Sequence, residues 1–557
     1  MSDARLPRLS LLAAIVLPVI VLLLPGCTTP SDPGVPAGTN HDELEQFFLA
    51  WRTFEAAELT DGVPDYTMDA MERQHRELPG WMERLAAFDT TGWTHSERID
   101  FEIVRAEMNG LDFDHRVRRP WQRDPAFYVM VYPSPTDIPA REGPVIDTAI
   151  EWWSYEQPLS RGDAEEAAAR LRTIQPLYEQ AKQNLTGDAR DLWEAGTRVI
   201  GRQRDTLQRI ADSVNNESVK NAALEALGAT AAFHEWLSDR LPEKRGVSGI
   251  GKDNYTWYLR NVHLMPWSWE EEVTLMEREL ARSWAYLKLS EHRNRTLPEL
   301  EPYADEATYD VALNAAVDEY MAFLEDADIM TTAPWMDQAL RERIGRFSPS
   351  DGPRSFFSEV NYRDGLVMRT HHYHWIDIAR MAEEPHDSII RATPSLYNIF
   401  DGRAEGMATG MEEMMMAAGL FDDRPRAREL VYILLAQRAA RALGGLYMHG
   451  NEKTMLEASE FAVEWTPRGW MQPDGDLVQF EQHLYLQQPG YGSSYVTGKI
   501  QIEDLIRVVA RREGEDFSLT SFMDRFNEAG FIPVSLIRWE MTGTDNHYRS
   551  IVADTWP

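Results

Sequence analysis

Hydrophobic and polar positions divide the chain into three stretches. Leu11 to Leu24 is an apolar run of 14 residues behind Arg5 and Arg8. It is shorter than the about 20 residues of a membrane span and fits the apolar segment of a cleaved signal over 1–26. Thr28 to His41 carries three Pro, two Gly and no apolar rhythm, so 27–41 reads as a flexible tether. From Asp42 onward apolar residues recur at helical spacing nearly everywhere. Thr94-His95-Ser96-Glu97 and Ser268-Trp269-Glu270-Glu271 are capping boxes. The first opens a helix that stops at Asn109-Gly110, the second one that runs to about Ser290. Helices are also predicted over 188–214 and 217–241, and Pro334 suits a first helical turn. Later helices are predicted near 360–383, 400–418, 426–448, 452–464, 474–487, 499–513 and 518–529. Alternating stretches are rare, so the fold class is mostly α: a large multi-helix protein, single or two-lobed, with room for a central cleft. No repeat of solenoid period is present. Glu243 to Asp253 contains three Gly and marks a joint between an N-terminal lobe over 42–250 and a C-terminal lobe over 251–557, or a surface loop of one domain.

Composition narrows the function. Lys plus Arg is 56 and Asp plus Glu is 90, a formal charge of −34. With no local basic patch, such a surface repels phosphate backbones, and nucleic acid is excluded as a partner. A single cysteine excludes a disulfide framework and any multi-cysteine metal site. It stands in Leu24-Pro25-Gly26-Cys27, which resembles a bacterial lipobox. That resemblance implies acylation of Cys27, removal of 1–26 and a membrane association through the lipid alone. Thr28, rather than an acid, implies the outer membrane, with the chain in the cell envelope facing the periplasm. An ordinary signal peptide or an uncleaved anchor is the alternative.

Candidate chemistry gathers in three segments. In Thr370-His371-His372-Tyr373-His374-Trp375 three of four consecutive residues are His. On a helix His371 and His374 share a face with Val367, Ile378 and Met381, while His372 points elsewhere. Imidazoles three apart can share a divalent metal; buried, hydrogen-bonded core histidines are the plainer reading. The second segment is a predicted helix with an apolar stripe of Phe400, Ala404, Met407, Met411, Met414 and Ala418. Asp401, Glu405 and Glu412 lie about 100° around from it. Gly406 and Gly410 each cost a helix about 1 kcal/mol relative to Ala, which points to close approach of another backbone and lets Glu405 face a neighbouring helix rather than water. A solvated acidic flank is the alternative. The third, Gln488 to Lys499, reads as a tight Gly-Pro loop leading into a helix near Lys499, with a tyrosine hydroxyl that can donate to an oxyanion. It has neither phosphate-loop spacing nor, with the rest of the chain, a serine-hydrolase elbow.

These residues resemble the bacterial domain of unknown function 885 family, α-rich and related by motif to zinc peptidases. The resemblance runs over 42–545. Glu97-Arg98-Ile99-Asp100-Phe101, Asn109-Gly110-Leu111-Asp112-Phe113, Gly251-Lys252, Tyr255 and Tyr258-Leu259-Arg260 carry its first half. Glu405-Gly406-Met407-Ala408 resembles the family's Glu-Gly-Trp-Ala, and Pro489-Gly490 with Tyr495 and Gly498 its Pro-Gly-x-x-x-Ser-Tyr segment. Arg441 and His449 keep the separation of an Arg and a His in its pattern. The departures matter more. Members with the peptidase motif carry His-Glu and then Pro-Gly-His. Here His371 aligns with the first His, His372 replaces the general-base Glu, Trp375-Ile376 replaces Pro-Gly, and Asp377 replaces the second His. The acid between Arg441 and His449 becomes Gly445. Imidazole does not simply replace a carboxylate that accepts and hands on a proton.

Six helical positions place His371 and Asp377 about 120° apart, whereas His371 and His374 are about 60° apart. The expected metal ligands are therefore His371, His374 and Glu405, with Asp377 or Glu412 as proton-accepting acids and a divalent metal, zinc first, as cofactor. The resemblance adds Tyr495 and His449 as groups that orient substrate or stabilise an oxyanion. The leading reading is a metallopeptidase-like hydrolase of peptide or small amide substrates. The alternatives are a non-catalytic lipoprotein binding peptides or envelope components on the same scaffold, and a different reaction at an iron or manganese site.

Overall fold

The computed structural model describes residues 40–350, 352–473 and 475–552. The signal segment, Cys27 and the tether as far as residue 39 lie outside the described residues. The first helix, His41–Glu55, is capped by the Asn40 side chain, which accepts from the Glu43 N–H at 3.0 Å. The last residue of the expected tether thus opens the first helix.

The described chain is mostly helical. Its strands are two short pairs, Leu59–Thr60 with Val63–Pro64 and Val131–Tyr132 with Ile150–Glu151. Both capping boxes form, with reciprocal bonds at Thr94/Glu97 and Ser268/Glu271. The helices behind them run further than their stop signals suggest, over His95–Phe113 and Trp269–Arg293. Most later elements fall close to their predicted bounds: Asp401–Ala418, Ala427–His449, Met455–Trp465, Asp476–Gln487 and Leu519–Glu528.

Two segments differ. The predicted helix over 360–383 is three helices, Phe356–Asn361, Gly365–His371 and Tyr373–Glu383, with His372 at φ −66° and ψ 10° between the last two. The loop read as reaching Lys499 ends at Gly490, and Tyr491–Glu513 is one helix. Gly490, at φ 90°, makes the reversal that a side chain disfavours, so the helix starts right behind the Pro-Gly pair.

The larger apolar core draws residues from both sides of residue 250, from Leu44 to Phe113 and from Ile250 to Tyr548. A second core lies within Tyr66 to Leu237. The Gly-rich stretch around 243–253 is tied to both parts: Gly246 forms a bridge with Ala189, and the Gly251 N–H donates to the His449 carbonyl at 2.9 Å.

The Asp401–Ala418 and Tyr491–Glu513 helices cross where glycine meets glycine. A Cβ on Gly406 would sit 2.5 Å from the Gly498 Cα, and one on Gly498 would collide with the Gly402 carbonyl. Gly406 therefore has the backbone neighbour its helical cost suggests. Gly410 does not: its nearest neighbour is the Met414 methyl at 3.2 Å. Among the described residues no helix is long and apolar enough to cross a membrane.

Candidate metal centre

The Asp401–Ala418 helix is pressed between neighbours, so its acids are interior. Asp401, Glu405 and Glu412 are all buried, as are Met407, Met411, Met415 and Met416. The break at His372 brings the short Gly365–His371 helix and the following one against this acidic line. The rings of His371 and His374 meet edge to face with centroids 5.1 Å apart. His371, His374 and Glu405 each offer a ligand atom, and these atoms all lie within 4.8 Å of one another. Two imidazoles and one carboxylate at such separations can close around one divalent cation. His374 Nε2 and Glu405 Oε2 are 3.1 Å apart.

Burial alone would lower the His374 pKa and raise that of Glu405. Their mutual attraction wins, raising His374 to about 9 and lowering Glu405 to about 2. The chain by itself thus holds an imidazolium–carboxylate pair, and a cation entering there would displace the proton.

The surroundings orient these groups. Nδ1 of His371 lies 3.2 Å from Glu412 Oε1 and 3.1 Å from Arg438 Nη2. Arg438 itself donates two 2.7 Å bonds to Glu412. Burial pushes the Glu412 carboxyl up, but Arg438 and His371 bring it below its ordinary value. On the other side the Tyr491 hydroxyl donates to Glu405, and the Tyr495 hydroxyl donates to that of Tyr491 at 3.4 Å. Burial, with Glu405 nearby, raises both phenols well above their ordinary value, so they remain protonated donors.

The remaining site residues take other positions. Asp377 accepts two 2.8 Å bonds from Arg403, a closed buried ion pair. His449 donates from Nε2 to the Tyr485 carbonyl at 2.8 Å and lies against the Tyr255 ring. Burial lowers its pKa to about 4. No hydrogen bond among the described residues joins it to the three ligands. Tyr491, Arg438 and Arg403 are additions that the sequence reading missed. Arginine inside the largely apolar Ala427–His449 helix, at Arg438 and again at Arg441, was the available signal, since buried arginines require partners.

A cavity of about 520 Å³ opens between the N-terminal helices and residues 393–398, lined by Arg118, Arg141, Asp147, Tyr397, Asn398 and Gln488. Gln488 also donates to Asp401, one helical turn before Glu405.

Comparison with known proteins follows the same region. Residues 371–541 match the family described as bacterial protein of unknown function, DUF885. That span holds all three candidate ligands. The resemblance read from the sequence runs wider, over 42–545. No curated protein matches the chain. Two solved structures share the fold. One is a candidate lipoprotein of unknown function from Shewanella oneidensis, with TM-score 0.64, 15% identity, and coverage of 90% of this chain and 97% of that one. The other is a candidate lipoprotein from Colwellia psychrerythraea, with TM-score 0.63, 14% identity and the same coverage.

Proposed function

We propose that this chain is a metal-dependent hydrolase of peptide or amide bonds, carried in the bacterial envelope on an acylated Cys27 and facing the periplasm from the outer membrane. The observation that carries the reading is the convergence of His371, His374 and Glu405 on one enclosed point. The donor set suits zinc, which would polarise a carbonyl and activate a water. His371 is steadied at Nδ1 by Glu412, as an imidazole ligand generally is by its second nitrogen. Tyr491 holds Glu405, and Tyr495 stands one hydroxyl further out, placed to turn its proton toward a developing oxyanion. Of the two acids expected to take the proton, Asp377 is closed off by Arg403. Glu412 is bound to Arg438 yet touches His371, and it is the carboxylate this reading retains. The anchor is supported by the Leu24-Pro25-Gly26-Cys27 sequence and by the descriptions of the two structural relatives.

A second reading, a non-catalytic receptor for peptides or envelope components on the same scaffold, is favoured by the engagement of both acids with arginine. One experiment separates the two. A soluble Cys27→Ser protein is analysed for zinc, iron and manganese and then incubated with a peptide library. Near-stoichiometric metal, with cleavage lost in Glu405→Ala, supports the hydrolase. Metal without cleavage leaves the receptor, and a metal-free protein removes the hydrolase.

A further inference from the structure

Arg441 lies one turn beyond Arg438 on the Ala427–His449 helix and is 1% exposed. Its Nη1 forms an ion pair with Glu481. Its Nε and Nη2 have no hydrogen-bond partner among the described residues. These two nitrogens form the side-on edge of the guanidinium, two parallel donors whose spacing matches a carboxylate. A buried fork left unmet is costly; Arg403 and Arg438, by contrast, each give both terminal nitrogens to one acid, Asp377 and Glu412.

The fork lies beside the candidate centre. The Arg441 guanidinium carbon is 4.8 Å from the centre of the Tyr495 ring and 5.8 Å from that of Phe357. Tyr495 leads through Tyr491 to Glu405. Phe357 stacks on His371 at 6.4 Å with planes 7° apart. Arg441 thus faces two rings, one stacked on a candidate ligand and the other joined to one through Tyr491. Gln437, one turn earlier on the same face of the helix, is fully buried with both ends of its amide unpartnered. It offers one donor and one acceptor, as a peptide group requires. The charge balance also favours an anion. Arg369, two residues before His371, is fully buried and bonds to Asn361 but forms no ion pair with a carboxylate among the described residues.

We propose that the Nε–Nη2 edge of Arg441 receives a carboxylate of the substrate, so that this site takes anionic peptides or acylated amino acids rather than neutral ones. The proposal rests on the reading of His371, His374 and Glu405 as the centre that handles the peptide or amide. Arg441 is then a specificity residue, with Tyr495 between it and the reacting bond.

The test is calorimetric titration of the Cys27→Ser protein with three probes: N-acetyl-alanylalanine, its C-terminal amide, and an amidated N-acetyl peptide whose one carboxylate is an aspartyl side chain. At least one acid should bind tenfold or more tightly than the neutral amide. Which acid binds distinguishes a terminal from a side-chain carboxylate. Arg441→Gln should abolish the preference at unchanged metal content. Arg441→Lys, which keeps the charge and loses the fork, should reduce it strongly. Equal binding of acid and amide, binding of none of the three, or a preference that survives both variants overturns the proposal. The wild-type comparison decides even where a variant fails to fold. Metal content, measured in parallel, separates the two ideas: a carboxylate preference in a metal-free protein sinks the hydrolase and keeps the subsite. Full metal content with no preference does the reverse.

Discussion

Nδ1 of His371 lies 3.2 Å from Oε1 of Glu412. The same nitrogen is 3.1 Å from Arg438 Nη2, and the two neighbours demand opposite tautomers. A guanidinium only donates, so a bond from Arg438 leaves Nδ1 bare and the proton on Nε2. A carboxylate only accepts, so a bond to Glu412 puts the proton on Nδ1 and frees Nε2 for a cation. Metal binding should therefore select the Nδ1–H form. Glu412→Gln should weaken metal affinity by about 10–100-fold, the usual cost of losing such a support, while His371→Ala or Glu405→Ala should abolish binding. Competition with a chelator measures the first, and elemental analysis the second. Unchanged affinity in Glu412→Gln would show that Arg438 sets the tautomer.

Asp377 and Arg403 form a buried pair at 2.8 Å, and Arg403 also reaches Asn527 at 3.0 Å. Removing one partner strands the other in the interior. Asp377→Ala should cost about 3–5 kcal/mol of stability, seen as a lower Tm, with metal content unaltered. Loss of metal in a variant that remains folded would instead make Asp377 a ligand.

Glycine in the Asp401–Ala418 helix gives a sharper contrast. Gly406→Ala would drive a Cβ to 2.5 Å from the Gly498 Cα, backbone that cannot step aside. The helices must part, and a loss of about 1–3 kcal/mol or more is expected. Gly410→Ala meets only the flexible end of Met414 at 3.2 Å. It should be neutral or stabilising by up to about 1 kcal/mol through helix propensity. Denaturant unfolding of the two variants measures both.

That contrast shows where the sequence was legible. Glycine carries a cost in any helix, so a backbone neighbour at Gly406 follows from local physics. Which of two glycines has one depends on Gly498, far along the chain. The helices themselves were readable because capping at Thr94 and Ser268 and apolar spacing are local. The break at His372 was not, since nothing in Thr370-His371-His372-Tyr373 resembles a stop signal. The helix start at Tyr491 was signalled by Pro489-Gly490, but the later glycines disguised it as loop. His371, His374 and Glu405 could be nominated because clustered imidazoles and a buried-looking acid stand out in sequence. Their supports could not: Tyr491 meets Glu405 across 86 residues and Arg438 meets Glu412 across 26. Such partners are settled by packing alone.

Acid should weaken the fold through histidines outside the candidate centre, and His263 isolates the effect. It is 1% exposed, and neither ring nitrogen has a hydrogen-bond partner among the described residues. Burial, helped by Arg118, lowers its pKa to about 3. In the unfolded chain it titrates near 6.5. Between these values the unfolded state binds the extra proton, so its contribution is intact above pH 6.5 and falls as pH drops toward 3. Other buried groups titrate in the same range, and burial raises Glu272 and Glu142 to about 7 with the opposite sign. The difference between two proteins cancels them. His263→Leu removes the proton site without stranding a partner. Whatever packing change it brings should be constant with pH. Relative to wild type, the variant should therefore gain about 2 kcal/mol on going from pH 8 to pH 5, which is 1.5 pH units below 6.5 at about 1.4 kcal/mol each. Urea unfolding of both proteins at the two pH values reads the gain directly, and parallel curves would mean that His263 is protonated inside the fold.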